Sequence, residues 1–140
     1  MVDEHQAALT GPPKRFQILA LDGGGLRGIF SAAVLAGLEE DLGISIVDHF
    51  DLITGTSTGG IIALGLGLGL SPRQMVEFYV EAGPTVFRNR MGLRTARQFL
   101  RAKYAAGPLR SALTDVFGSR TFGESTKRLV IPSYNPIPLS

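Results

Sequence analysis

Met1 to Pro13 carries the polar run Asp3-Glu4-His5-Gln6, and Gly11-Pro12-Pro13 closes the stretch with a rigid turn. Residues 1–13 therefore read as a flexible arm, and residues 14–140 as one domain with a core of its own. Phe16 to Leu21 is nearly unbroken apolar sequence, the pattern of a strand buried in a parallel sheet. From Ile29 to Leu42 the pattern changes to helical: Phe30, Val34, Leu38 and Leu42 recur every fourth position, with Ala33 and Gly37 beside them and Gly43 as a stop. That stripe is the expected core face of the helix. Ile44 to Val47 shows no clear period. Phe50 to Thr54 predicts a second strand, and Ile61 to Leu70 a strongly apolar helix.

Ser71-Pro72 supplies an N-cap and a first helical position for a helix over Arg73 to Ala82, with Met75, Phe78 and Tyr79 facing the core and Gly83-Pro84 ending it. Thr95 to Tyr104 and Leu109 to Phe117 read as further helices separated by Gly107-Pro108. Leu129 to Pro132 is a third strand cut by its proline, and the stretch from Asn135 to Ser140 is irregular. Strand, loop, helix, strand, turn, helix is the order of an α/β layered domain with parallel central strands.

Composition narrows the class. The chain is 44% hydrophobic and 19% charged, which is globular and not disordered. It has no cysteine, so disulfides, thiolate catalysis and zinc–thiolate sites are excluded together. That composition fits a reducing compartment, and a cytoplasmic protein, peripheral at most to a membrane, is expected. Ile61 to Leu70 is about half the ~20 apolar residues needed to span a bilayer, and Met1 to Lys14 contains no apolar segment of secretory type.

Net charge is only +2, but it is unevenly distributed. From Gly83 to Thr114 there is no acidic residue, while Arg88, Arg90, Arg94, Arg97, Arg101, Lys103 and Arg110 all fall there. A solvated face is the plain account of this Arg88–Arg110 segment. Peripheral contact with an anionic membrane is the functional one. Nothing in the segment resembles a nucleic-acid-binding motif, so nucleic acid is not an expected partner. No residue cluster suggests a metal, and no cofactor is expected.

Two glycine-rich turns carry the candidate chemistry. The first, Asp22-Gly23-Gly24-Gly25-Leu26-Arg27-Gly28, follows the first strand and contains G-x-G-x-x-G at Gly23, Gly25 and Gly28. A dinucleotide-binding reading would need an acidic residue at the end of the next strand, but Asp41 falls on the helix and that strand runs into a serine turn. The other reading is an oxyanion hole, with backbone N–H groups of consecutive glycines facing a small anion and Arg27 adding positive charge. The second turn, Gly55-Thr56-Ser57-Thr58-Gly59, is a G-x-S-x-G pattern between a strand and a helix, a context that exposes a serine hydroxyl at the carboxyl end of a sheet. No histidine follows Ser57, and the two present are His5 and His49, so a Ser…Asp…His chain order is excluded.

The pair Asp22–Gly28 and Phe50–Gly60 resembles the patatin-like phospholipase family, and Leu129-Val130-Ile131-Pro132-Ser133-Tyr134-Asn135 is similar to a later strand of its bacterial members. The resemblance covers Phe16 to about Asn135. It implies a three-layer α/β sandwich with a mainly parallel central sheet, and a lipid acyl hydrolase of phospholipase A type working through a Ser–Asp dyad. Ser57 would be the nucleophile and Gly23, Gly24, Gly25, Arg27 and Gly28 the oxyanion loop. Gly55, Thr56, Thr58 and Gly59 would form the nucleophile elbow, and the substrate would be a phospholipid or another acyl-ester lipid. The family's third motif, an Asp-Gly-Gly or Asp-Gly-Ala well beyond the serine, does not occur after Ser57. Asp115 is the only aspartate after Ser57 and falls in a helical pattern without a following glycine. The expectation is therefore a domain incomplete at its C-terminus, whose base lies elsewhere. The alternative is a catalytically inactive module that binds lipid or a partner.

Overall fold

The computed structural model describes residues 15–87 and 106–134. The arm, the helix expected over Thr95 to Tyr104, the basic residues from Arg88 to Lys103 and the stretch from Asn135 lie outside the described residues.

The elements run β1 (Ile18–Leu21), α1 (Gly28–Leu42), β2 (Leu52–Gly55), α2 (Thr58–Gly67), α3 (Pro72–Phe87), α4 (Ala106–Phe117) and β3 (Arg128–Val130). Short 3₁₀ turns at Gly25–Arg27, Ile46–His49 and Phe122–Glu124 join them. The strands form one sheet in the order β1-β2-β3, parallel throughout. Ile18 pairs with Leu52 and Leu21 with Gly55, so β1 and β2 end level with each other. Parallel neighbours need a crossover, and α1 supplies the first. This is the expected α/β architecture with a parallel sheet.

One face of the sheet is the core face. Leu19, Leu21, Ile53 and Leu129 point to it by strand alternation and pack with Ile62, Ala63 and Leu66 of α2. Behind α2 lie Met75, Phe78 and Tyr79 of α3, all buried as their spacing predicts. Burial of each large side chain in this cluster contributes about 1.5–3 kcal/mol. The opposite face carries Ile18 at 53% exposure and Val130 at 49%, and it is open among the described residues. It is the face on which a three-layer sandwich seats its other helical layer. There the Arg128 guanidinium lies 5.9 Å from the centre of the Phe16 ring.

The expected face of α1 is corrected. Phe30, Val34, Leu38 and Leu42 are exposed, Phe30 at 72%, while Gly28, Ala32, Leu35 and Ala36 are buried. The reason is close packing: α1 lies chiefly against α3 and also meets α2, and small residues on the inner face permit that approach. A four-residue spacing of large side chains looks the same whether they face inward or outward. Glu40 of α1 also pairs with Arg73 of α3, an exposed ion pair that contributes little.

Helix boundaries also differ from expectation, and α2, expected over Ile61 to Leu70, runs from Thr58 to Gly67. Gly83-Pro84 does not end α3, which continues to Phe87. Gly83 is buried, and a Cβ on it would stand 2.9 Å from Leu26 Cδ2, so the glycine marks a close approach to the first glycine turn. Gly107-Pro108 lies inside the first turn of α4, where proline's missing N–H leaves no helical bond unmade. At the start of α3 the expected cap is present: Ser71 Oγ accepts the Gln74 N–H at 3.2 Å, and Gln74 Oε1 accepts the Ser71 N–H at 2.8 Å.

The carboxyl end of α2 is held from outside. The Gly67 carbonyl accepts the Thr126 N–H at 2.9 Å, and the Leu68 carbonyl accepts from Arg120 at 3.1 Å. Arg120 also donates to the Val116 and Phe117 carbonyls at the end of α4. One guanidinium thus satisfies open carbonyls of two helices. No helix among the described residues is long and apolar enough to cross a membrane.

Candidate active site

The site grows from the end of β2. Ser57 follows the strand with φ 54° and ψ −123°, the only non-glycine residue with positive φ among the described residues. This backbone is strained for a residue with a Cβ, and it turns the chain from strand to helix within a few residues. Two glycines make the turn possible. A Cβ on Gly55 would stand 2.3 Å from the Gly59 carbonyl oxygen, and one on Gly59 would stand 2.2 Å from the Leu21 carbonyl oxygen. Both contacts are to backbone, so neither can be relieved by a side-chain rotation. Ser57 and Thr56 are exposed, whereas Thr58, Gly59 and Gly60 are buried. The hydroxyl-bearing residue therefore stands at the surface, immediately before the positive end of a ten-residue helix.

The first glycine loop leaves β1 beside it, because Leu21 is in register with Gly55. A Cβ on Gly23 would meet the Thr56 carbonyl oxygen at 2.3 Å and Ser57 Cβ at 2.8 Å. Gly24 has φ 153° and Gly25 φ 64°, and Gly25–Arg27 form the 3₁₀ turn that opens α1. The far end of the loop meets the second motif too: a Cβ on Gly28 would stand 3.0 Å from Thr58 Cβ. Arg27 is exposed, and its stem passes beside Gly24. The two motifs, separate in sequence, form one surface at the carboxyl ends of β1 and β2.

One expected donor has another task. The Gly24 N–H is donated to Thr58 Oγ1 at 3.1 Å. Gly24 therefore ties the two loops together. Sequence reasoning also missed Tyr79. Its hydroxyl donates to the Thr58 carbonyl at 2.8 Å, and burial raises its pKa, so it stays protonated. The available signal was chemical: a buried tyrosine needs a partner for its hydroxyl.

The other titratable candidates have separate places. Asp51 Oδ2 accepts the Gln17 N–H at 2.8 Å, anchoring the start of β2 to the chain entering β1. His49 and Asp48 precede β2, and Ser57 follows it, so roughly 13 Å of strand separates them. Asp48 pairs with Lys127 at 3.2 Å; hydrogen bonding from Lys127, with its charge, lowers the Asp48 pKa. Asp115 is exposed on α4 and lines a cleft of about 460 Å³ with Phe78, Glu81, Ser111 and Val116. None of the residues lining that cleft comes from either glycine loop.

An exposed serine on a strand-to-helix turn, abutted by a glycine loop, suits nucleophilic acyl chemistry. A family description, Patatin-like phospholipase, matches residues 19–139. The chain belongs to the patatin-like phospholipase family. Among the similar proteins is a cGAMP-activated phospholipase of Pseudomonas aeruginosa (strain BWHPSA011 / Pa011), 41% identical over 128 residues, which cover 91% of this chain and 38% of the relative. A cGAMP-activated phospholipase of Vibrio cholerae is 34% identical, over 85% of this chain and 38% of its own length. Patatin-like protein 1 of Arabidopsis thaliana is 31% identical, over 84% of this chain and 33% of its own length. This patatin-like chain thus spans between 33% and 38% of the length of these relatives.

Proposed function

We propose that Ser57 is the nucleophile of a phospholipase A-type acyl hydrolase, with the glycine loop as its oxyanion hole. Ser57 Oγ attacks the ester carbonyl of a phospholipid or similar acyl ester, and a carboxylate base takes the hydroxyl proton. The tetrahedral oxyanion is held by backbone amides of the Gly23–Gly25 loop and by the positive charge of Arg27. The ester C–O bond breaks, the leaving alcohol takes the proton, and an acyl-serine remains. Water then attacks that acyl group, giving the free fatty acid and restoring Ser57.

The single observation that supports this reading is the abutment of Gly23 on Ser57, where a Cβ on the glycine would stand 2.8 Å from Ser57 Cβ. Losing one oxyanion donor costs on the order of 3–4 kcal/mol of transition-state stabilisation. The family's dyad pairs the serine with an aspartate in an Asp-Gly-Gly or Asp-Gly-Ala that lies beyond the serine, and neither follows Ser57 in this sequence. The base is thus assigned to an aspartate outside these 140 residues.

The test compares the 140-residue chain with a longer product of the same reading frame carrying that motif. The longer product hydrolyses phospholipid vesicles and p-nitrophenyl acyl esters, and Ser57→Ala lowers the rate by at least about 1000-fold. Vesicle binding without hydrolysis by both would instead support a non-catalytic lipid-binding module.

A further inference from the structure

We infer that Tyr79 and Thr58 are positioning residues that hold the glycine loop in register with Ser57. The inference rests on the function proposed above for what that register is for, but not for its geometry. Thr58 is 2% exposed and is the first residue of α2, next to the nucleophile. It receives hydrogen bonds from two directions. From the loop, the Gly24 N–H reaches its side-chain oxygen at 3.1 Å. From α3, the Tyr79 hydroxyl reaches its carbonyl oxygen at 2.8 Å. The other end of the loop also rests on Thr58, at Gly28, where even a methyl group would be crowded at 3.0 Å.

The chemistry is specific at each position. A carbonyl oxygen can accept twice, so Tyr79 can hold the start of α2 without displacing a helical bond. Packing accounts for the Tyr79 ring, which meets Phe78 edge-on at 5.2 Å. Phenylalanine would fill the ring's space, and the hydroxyl adds a hydrogen bond from α3 to the nucleophile turn. Burial keeps the phenol protonated and therefore a donor. At position 58, valine matches threonine in shape but cannot accept the Gly24 N–H, whereas serine can. Without that acceptor, a loop rich in glycine is free to change conformation, and misplacement by about 1 Å costs on the order of 100-fold in rate.

Two readouts test this. Amide hydrogen exchange of the 140-residue chain reads the register without any need for turnover. In Thr58→Val the Gly24 amide exchanges on the order of tenfold faster, and in Thr58→Ser it keeps the wild-type rate. Tyr79→Phe moves the same amide in the same direction. In the product that hydrolyses ester, Thr58→Val and Tyr79→Phe lower kcat about tenfold or more with KM within about twofold, and Thr58→Ser restores kcat. An unchanged Gly24 amide in Thr58→Val, or equal acceleration in valine and serine variants, overturns the inference. So does a changed KM with kcat intact. Should the valine variant lose the exchange protection of β1 and β2, Tyr79→Phe, which keeps the ring, decides. If the wild-type product hydrolyses no ester, the proposed function fails while the Gly24 readout still judges the register.

Discussion

Gly23 lies so close to Ser57 that a single added methyl would stand 2.8 Å from Ser57 Cβ and 2.3 Å from the Thr56 carbonyl oxygen. No side chain fits between the nucleophile turn and the glycine loop at this point. Gly23→Ala must push the loop away from the turn. The expected outcome is a fall of about 100-fold or more in kcat/KM for ester hydrolysis, with about 1–3 kcal/mol lost in urea unfolding. Activity near wild type in Gly23→Ala would show that the loop does not act on Ser57.

The face that α1 buries gives a second prediction. Leu35 is 6% exposed and belongs to the core cluster, whereas Leu38, three positions on, is 40% exposed. Leu35→Ala should cost about 2–4 kcal/mol in denaturant unfolding. Leu38→Ala should cost well under half of that. The reverse ranking would restore the face read from spacing alone.

Acid sensitivity gives a third. Hydrogen bonding from Lys127 lowers the Asp48 pKa, and the Thr121 backbone N–H does the same for Glu124 in the capping box of the last 3₁₀ turn. A carboxylate with a lowered folded-state pKa adds stability that is fully present above its unfolded value, near about 4. That stability is lost as pH falls through the lowered pKa. Wild-type stability should therefore decline below about pH 4, and Asp48→Asn should flatten part of the decline. An identical pH profile in Asp48→Asn, followed by thermal melts from pH 7 to 3, would count against the Asp48–Lys127 pair.

Much of this was legible in the sequence because the residues concerned obey local rules. Leu21 and Ile53 lie in short apolar runs read as buried strands, and they are buried, but Phe16 and Ile18 of the first run are exposed on the open face of the sheet. Gly55 and Gly59 flank Ser57 because strand and helix cross within contact distance there, so the motif itself encodes the geometry. The face of α1 was not legible, since Ala32 and Ala36 are inward only because α3 comes close, a tertiary fact. Gly83 was read as a helix stop because glycine at a stop and glycine at a close contact look alike in one dimension. The link from Tyr79 to Thr58 spans 21 positions, and no local pattern announces it.

Covalent labelling of the serine tests the central claim most directly. The protein with its proposed base present, treated with a fluorophosphonate and digested, should carry one adduct, on the peptide containing Ser57. Ester hydrolysis should disappear in proportion to labelling, and Ser57→Ala should take up no label. An adduct on a different serine, or label and hydrolysis that survive Ser57→Ala, would contradict the assignment of Ser57 as the nucleophile.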